Sequence, residues 1–280
     1  MPSPETIEDI EVHLLLEGIF QCYGFDFRNY SRNALKSRMR YCMWEESVNS
    51  ISALQEKILY DAACWERCLY ALSVSVTSMF RDAGFYGVFK EKIIPLLRDY
   101  PLIRIWHAGC ASGEEVYSVA ILLREAGLYE RTLIYATDMN AALLDRASAG
   151  VYSKEKMQEY SENYRLVAGY GIKGTGSLAD YYLPHEDGFV VREELKKNII
   201  WAQHNLVSDS SFNEFQVIFC RNVMIYFNRV LQARVHKLLY ESLAPKGMLG
   251  LAGKESVKFS PYAECYEQID PVTKWVRRIG

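Results

Sequence analysis

The spacing of apolar residues changes partway along the chain and divides it in two. From about Glu8 to Leu72 they recur at helical intervals, with Ile10, Leu14, Leu15, Ile19 and Phe20 marking a first helix. Ser31 stands where it would cap a second helix running to about Trp44, and Ser50 and Asp61 where they would cap two more. The stretch Ser73-Val74-Ser75-Val76-Thr77-Ser78 is polar and β-branched, poor helix material, and reads as a linker. Beyond it, short apolar runs alternate with amphipathic helices. A helix through Phe85, Val88, Phe89 and Ile93 is expected to kink or end at Pro95. Buried strands are expected from Ile103, over Leu133–Thr137, Asn198–Gln203, Phe215–Cys220 and Met248–Ala252, with helices between them from Asn140 to Ala149 and Asn228 to Leu243.

Two segments depart from this alternation. The 48 residues from Gly150 to Lys197 are too many for a simple connection, and Asp180-Tyr181-Tyr182 with Phe189-Val190-Val191 predict a small β-hairpin insertion. At the end of the chain, Cys265–Ile269 and Thr273–Arg278 predict an antiparallel hairpin around Asp270-Pro271. The expected organisation is a helical domain at 1–72, a linker at 73–78 and an α/β domain at 79–280, with 150–197 inserted as a β-subdomain. A mainly parallel sheet finished by a hairpin is the arrangement of class I methyltransferases rather than of dehydrogenases.

The first strand runs into His107-Ala108-Gly109-Cys110-Ala111-Ser112-Gly113-Glu114-Glu115, a turn of small residues opening a helix. Gly109, Ala111, Ser112 and Gly113 put little side chain between the main chain and a ligand over it. The three glycines of a dinucleotide fingerprint are not present, and neither is a phosphate-binding Gly-Lys-Ser/Thr ending. Glu114 and Glu115 would repel a pyrophosphate but suit a cation, an amine or hydroxyls. That pattern points to an adenosyl cofactor with a sulfonium and an amino-acid tail. Asp138, at the tip of the second strand and 25 residues past Gly113, is placed to hold ribose hydroxyls, a feature common to NAD and adenosylmethionine sites.

Composition narrows the classes. A net charge of −3 gives no sign of a general polyanion binder, so no nucleic-acid partner is expected. No apolar run is long enough to span a bilayer, and Met1-Pro2-Ser3-Pro4-Glu5 is neither basic nor apolar, so no signal peptide is visible. The seven cysteines show no paired or zinc-ligand spacing, which predicts reduced thiols, no metal site and a cytoplasmic location. On the second helix, Arg32, Lys36, Arg38 and Arg40 are either a solvated face or a docking surface for an acidic helix.

With these residues in hand, the chain resembles the CheR family of chemoreceptor glutamate O-methyltransferases over nearly its whole length. Ile218-Phe219-Cys220-Arg221-Asn222-Val223-Met224-Ile225-Tyr226-Phe227 follows the family's I-F-C-R-N-V-x-I-Y-F. Thr77-Ser78-Met79-Phe80-Arg81 is similar to T-x-F-F-R, and Ala111-Ser112-Gly113-Glu114-Glu115-Val116-Tyr117-Ser118 to A-S-T-G-E-E-P-Y-S. Ala136-Thr137-Asp138 and Asn205-Leu206 also fall in family positions. Departures are Ser75 for a frequent Asn, Met79 for the first Phe, Val116 for Pro, and Gly253-Lys254-Glu255-Ser256 where relatives often read G-H-S-E.

The resemblance implies a class I fold and S-adenosyl-L-methionine as cofactor, with S-adenosyl-L-homocysteine as product. It implies cofactor contacts at Thr77, Arg81, Glu114, Asp138, Asn205, Leu206, Arg221 and Asn222, beside Gly109 of the turn, and a reaction centre bordered by Arg81 and Tyr226. It gives the Arg32, Lys36, Arg38 and Arg40 face the role of meeting a chemoreceptor's acidic helical domain. The β-insertion, with Ala168-Gly169-Tyr170-Gly171 before its hairpin, is a site where some relatives dock a receptor's C-terminal peptide. The competing expectation is a regulatory module that binds the cofactor or its product without turnover.

Overall fold

A computed structural model describes residues 3–73, 77–170 and 176–280. The chain forms two compact units: residues 1–75 with 226–234, and residues 76–225 with 235–280. The linker positions Val74, Ser75 and Val76, and Gly171 and Gly174 of the insertion, lie outside the described residues.

The first unit is built on α1 (Pro4–Tyr23), α2 (Arg32–Glu45), α3 (Ile51–Tyr60) and α4 (Ala62–Leu72). Ser50 accepts from the Ala53 N–H and Asp61 from the Ala63 N–H, so both caps satisfy helix-start donors as expected. Ser31 occupies its cap position without a side-chain bond; instead its N–H donates to the Tyr226 carbonyl at 2.7 Å. The buried stripe of α1 is Val12, Leu15, Leu16 and Ile19, spaced i, i+3, i+4, i+7. Ile10 and Leu14, expected inside, are 50% and 51% exposed, because the buried stripe runs through Val12, Leu15 and Leu16 instead. Tyr30 pairs with Phe227, and the Phe27, Tyr30 and Phe227 rings form an edge-to-face series at 5.0 and 4.8 Å.

In the second unit, α5 (Ala83–Val88) passes through a π-helical turn at Phe89–Ile93 into α6 (Ile94–Leu97). Pro95 has no N–H to continue the α pattern, and the widened turn just ahead of it absorbs the mismatch. Then come β1 (Ile103–Ala108), α7 (Glu114–Glu125), β2 (Thr132–Asp138) and α8 (Ala141–Ala149). The insertion follows as β3 (Val151–Tyr152), α9 (Lys154–Ala168), β4 (Tyr182–His185) and β5 (Gly188–Val191). It is a three-stranded sheet, order β3-β5-β4, with a fifteen-residue helix, not a hairpin alone. The rest is β6 (Ile199–Gln203), β7 (Phe215–Cys220), α10 (Arg229–Ser242), β8 (Leu243–Leu251), β9 (Tyr266–Asp270) and β10 (Trp275–Arg278).

The main sheet runs β6-β2-β1-β7-β8-β10-β9, with β6, β2, β1, β7 and β8 mutually parallel and β10 antiparallel to both neighbours. This is the Rossmann-like class I order with the expected C-terminal hairpin. The chain moves outward from β1 through β2 to β6, then returns to the other side of β1 at β7. That reversal opens a crevice at the carboxyl ends of β1 and β7. Beneath it, Phe85, Phe89, Phe219 and Trp275 pack ring against ring at 4.6–6.0 Å. All seven cysteines are free thiols, five of them buried.

Candidate active site

The turn after β1 is shaped by backbone conformation. Gly109 (φ +80°) and Gly113 (φ +87°) take left-handed geometry, and Ala111 does so at φ +47°. A Cβ on Gly109 would come within 2.7 Å of a Val223 methyl, so only glycine lets β1 turn beside β7. The Gly109 and Cys110 N–H groups both donate to the Thr137 carbonyl, at 2.8 and 2.9 Å, fastening the turn to the end of β2.

Asp138 stands next to that fastening. One carboxylate oxygen accepts the Ala111 N–H and the other the Asn140 N–H, each at 3.0 Å. Burial pushes its pKa up, and the main-chain donors offset only part of that. A carboxylate has about four acceptor positions, so the three main-chain donors Ala111, Met139 and Asn140 still leave capacity for a ribose hydroxyl. The Asp138 carbonyl also accepts the His204 N–H at 3.1 Å, which brings Asn205 and buried Leu206 to the same edge. Asn205 ties its own loop, its side-chain oxygen accepting the Val207 N–H at 3.0 Å.

The two glutamates at the start of α7 go separate ways. Glu114 is 1% exposed, and its oxygens accept from Ser112 Oγ (2.6 Å), Tyr160 OH (3.1 Å) and Lys156 Nζ (3.3 Å). Two of those donors come from α9, an element absent from the sequence expectation. Its signal was present as Tyr160, Tyr164 and Val167 at i, i+4 and i+7, inside an otherwise polar run. Glu115 instead meets His107 Nδ1 at 3.0 Å and Arg221 Nη1 at 2.8 Å. Burial alone would raise the Glu115 pKa, but the His107 bond and the Arg221 charge outweigh it and hold it low.

Arg221, at the end of β7, has a side chain only 3% exposed. Besides Glu115 it donates to Asp82 Oδ2 at 2.7 Å and to the Arg81 carbonyl at 3.2 Å, and its guanidinium lies 4.0 Å from the Phe85 ring centroid. Asn222 follows at φ +59°. The N–H groups of Asn222, Val223 and Met224, with that of Ala252, all donate to Glu255, at 2.8–3.1 Å. Glu255 is buried; desolvation raises its pKa against the pull of these four donors. In the sequence Glu255 marks only a departure from the family pattern; in the fold it anchors the segment after β7.

The second unit thus brings Gly109, Glu114, Asp138, Asn205, Leu206, Arg221 and Asn222 to the carboxyl edge of the sheet, with Arg81 tied to them through Arg221. Thr77 lies half-buried at the start of this unit. Tyr226 belongs to the first unit, where the Arg38 guanidinium lies 4.5 Å from its ring centroid. The basic residues of α2 do not form one row. Lys36 pairs with Glu8 and Asp9, Arg40 pairs with Glu8, Arg32 is exposed, and Arg38 turns instead to Tyr226 and the Leu72 carbonyl. Among the described residues no His/Cys/Asp/Glu cluster fits a metal ion, and no helix is long and apolar enough to cross a membrane.

The small-residue turn, the spare acceptor capacity of Asp138 and the buried Glu114 fit a nucleoside bearing a cationic tail. Residues 75–270 match the family model "CheR methyltransferase, SAM binding domain", and residues 10–73 match "CheR methyltransferase, all-alpha domain". A Pseudomonas putida protein described as "Putative methyltransferase Cher3" is 45% identical over 95% of this chain and 96% of its own length. The chemotaxis protein methyltransferase of Escherichia coli is 30% identical, covering 87% of this chain and 83% of that protein. That of Listeria innocua is 28% identical over 84% and 85%.

Proposed function

This chain belongs to the CheR methyltransferase family, and we propose that it methylates glutamate side chains on the cytoplasmic domains of chemoreceptors. It is an S-adenosyl-L-methionine-dependent methyltransferase; the glutamate acceptor, the receptor partner and the cytoplasmic setting are the proposal. The observation that carries it is the presence of both family domains in one chain, with relatives described as chemotaxis protein methyltransferases aligned across both.

When bound, S-adenosyl-L-methionine supplies a methyl group on a sulfonium, and the products are a glutamate methyl ester and S-adenosyl-L-homocysteine. A glutamate carboxylate is already ionised at pH 7, so no general base has to activate it. The work left to the protein is positioning and exclusion of water. Asp138 holds the ribose hydroxyls. The Gly109–Gly113 turn lets the cofactor lie against the main chain, and Glu114 gives that turn an anionic floor. Thr77, Asn205, Leu206, Arg221 and Asn222 complete the contacts by their places in the family motifs. Arg81 holds a carboxylate, that of the cofactor's tail or of the acceptor, and Tyr226 orients one acceptor oxygen through its hydroxyl. Arg32, Lys36 and Arg40 meet the acidic receptor helix, and the three-stranded insertion is where a receptor tail peptide would dock.

The test is incubation with methyl-labelled S-adenosyl-L-methionine and purified receptor cytoplasmic domains. Alkali-labile label on glutamates is expected. Cofactor binding with no label transferred, or label stable to alkali, overturns the glutamate reading.

A further inference from the structure

Arg81 sits between two residues in uncommon backbone states. Phe80 has φ +53° and Asp82 φ +64°, a left-handed region that a residue with a side chain enters at an energetic cost. Such a conformation persists only when its surroundings hold it, and here the holders can be named. The Phe80 N–H donates to Ser118 Oγ at 2.9 Å, and Ser118 donates in turn to the Glu114 carbonyl at 2.7 Å. The Phe80 ring is fully buried against Tyr86 and Tyr164. On the other flank, one nitrogen of Arg221, Nη2, takes both the Arg81 carbonyl and the Asp82 carboxylate.

Arg221 is itself held. Its second terminal nitrogen is on Glu115, the other Glu115 oxygen is on His107 Nδ1, and the His107 ring stacks on Phe219 at 4.5 Å. Asp82 ends the series at the surface, its side chain 60% exposed. An exposed acid that only balanced charge would not need a nearly buried guanidinium bound also to the preceding carbonyl. We propose that His107, Glu115, Arg221 and Asp82 form a positioning chain that fixes the backbone of Arg81, so that Asp82 acts on methyl transfer through Arg81 and not through the cofactor. This rests on the reading above in the form in which Arg81 holds the acceptor carboxylate and not the cofactor's tail.

The test uses the full chain and two substitutions at the exposed end, where folding is least at risk. Asp82→Ala removes both the carboxylate and the tolerance for left-handed geometry. Asp82→Asn keeps that tolerance and a hydrogen-bond acceptor but loses the charge. Asp82→Ala is expected to lower kcat at least about tenfold while the cofactor Kd moves less than about threefold, with Asp82→Asn between it and the wild type. In an Arg81→Ala background the further change to Asp82→Ala is expected to cost less than about twofold, because the residue it serves is gone. An equal loss with and without Arg81, or a cofactor affinity that falls in step with kcat, overturns the proposal. Should the wild type label no receptor domain, the glutamate reading fails by itself and amide hydrogen exchange decides this one. Faster exchange at Phe80 and Phe85 in Asp82→Ala supports the anchoring, and unchanged protection there sinks it.

Discussion

The guanidinium of Arg38 lies 4.5 Å from the centre of the Tyr226 ring. Burial lowers the Arg38 pKa, and the neighbouring Tyr226 and Tyr30 act in the opposite direction. A basic residue that reads as part of a docking face is therefore also the packing partner of a motif tyrosine. Arg38 stands six positions past Arg32, which on a helix turns it away from the row formed by Arg32, Lys36 and Arg40. Substitutions at Arg38 and at Arg40 should consequently separate. Arg40→Glu is expected to weaken receptor methylation in a salt-sensitive way and to cost the first unit much less stability than Arg38→Ala, since its ion pair with Glu8 is exposed. Arg38→Ala is expected to lower that unit's stability by about 1–2 kcal/mol, as for a partly desolvated cation on a ring. Melting curves and methylation rates at two salt concentrations for both variants make the comparison.

Tyr226→Phe keeps the ring that Arg38 covers and removes only the hydroxyl. Turnover is expected to fall about 10- to 100-fold, with cofactor affinity changed less than about threefold. Parallel loss of both would contradict the orienting role assigned to the hydroxyl.

Asp138→Asn tests the ribose contact. One acceptor oxygen becomes a donor facing either the Ala111 or the Asn140 N–H, and the negative charge and half of the acceptor positions are lost. Calorimetric titration with S-adenosyl-L-homocysteine should show affinity reduced about 10- to 100-fold, the scale of one charged hydrogen bond. An unchanged Kd would place the nucleoside elsewhere.

Glu46 gives the first unit an acid-sensitive tie. It accepts from Arg67 and Lys57 at 2.6 Å each, and the Arg67 bond is the main cause that holds its pKa at about 2. A carboxylate with a lowered folded pKa stabilises fully above its ordinary value of 4.5, and that contribution is lost as pH falls toward 2. Arg67 is half exposed and screened by water, so Glu46→Gln should cost about 1–2 kcal/mol at pH 7. The difference should shrink to nothing near pH 2, as read by urea unfolding of both proteins across that range.

His236, buried in the second unit, is held neutral for the opposite reason. Desolvation lowers its pKa to about 4 from 6.5. Between those values the unfolded chain takes up a proton that the folded one refuses, so stability declines as pH falls from 6.5 to 4. His236→Gln should flatten that decline by about 2–3 kcal/mol. Unfolding midpoints at pH 7, 5.5 and 4 check it.

The local features of this protein were legible in the order of its residues. Capping by Ser50 and Asp61, the small-residue turn at Gly109–Gly113, the strand-end Asp138 and the final hairpin each depend on a few neighbouring residues, and local spacing carries that information. What side chains touch across long separations was not legible. Arg221 reaches partners 106 and 139 residues away, Glu255 gathers three N–H groups more than 30 residues back, and Glu114 is held by a helix hidden in a polar run. A charged group buried by packing must find its counterpart wherever the folded backbone has brought one within reach, and no spacing rule states where that is. The sequence by itself determined the helical front, the strands of the main sheet and the family motifs they carry, but not α9 or the third strand of the insertion. Only the tertiary structure decided which acids are anchors, which face the crevice, and that Arg38 belongs to Tyr226.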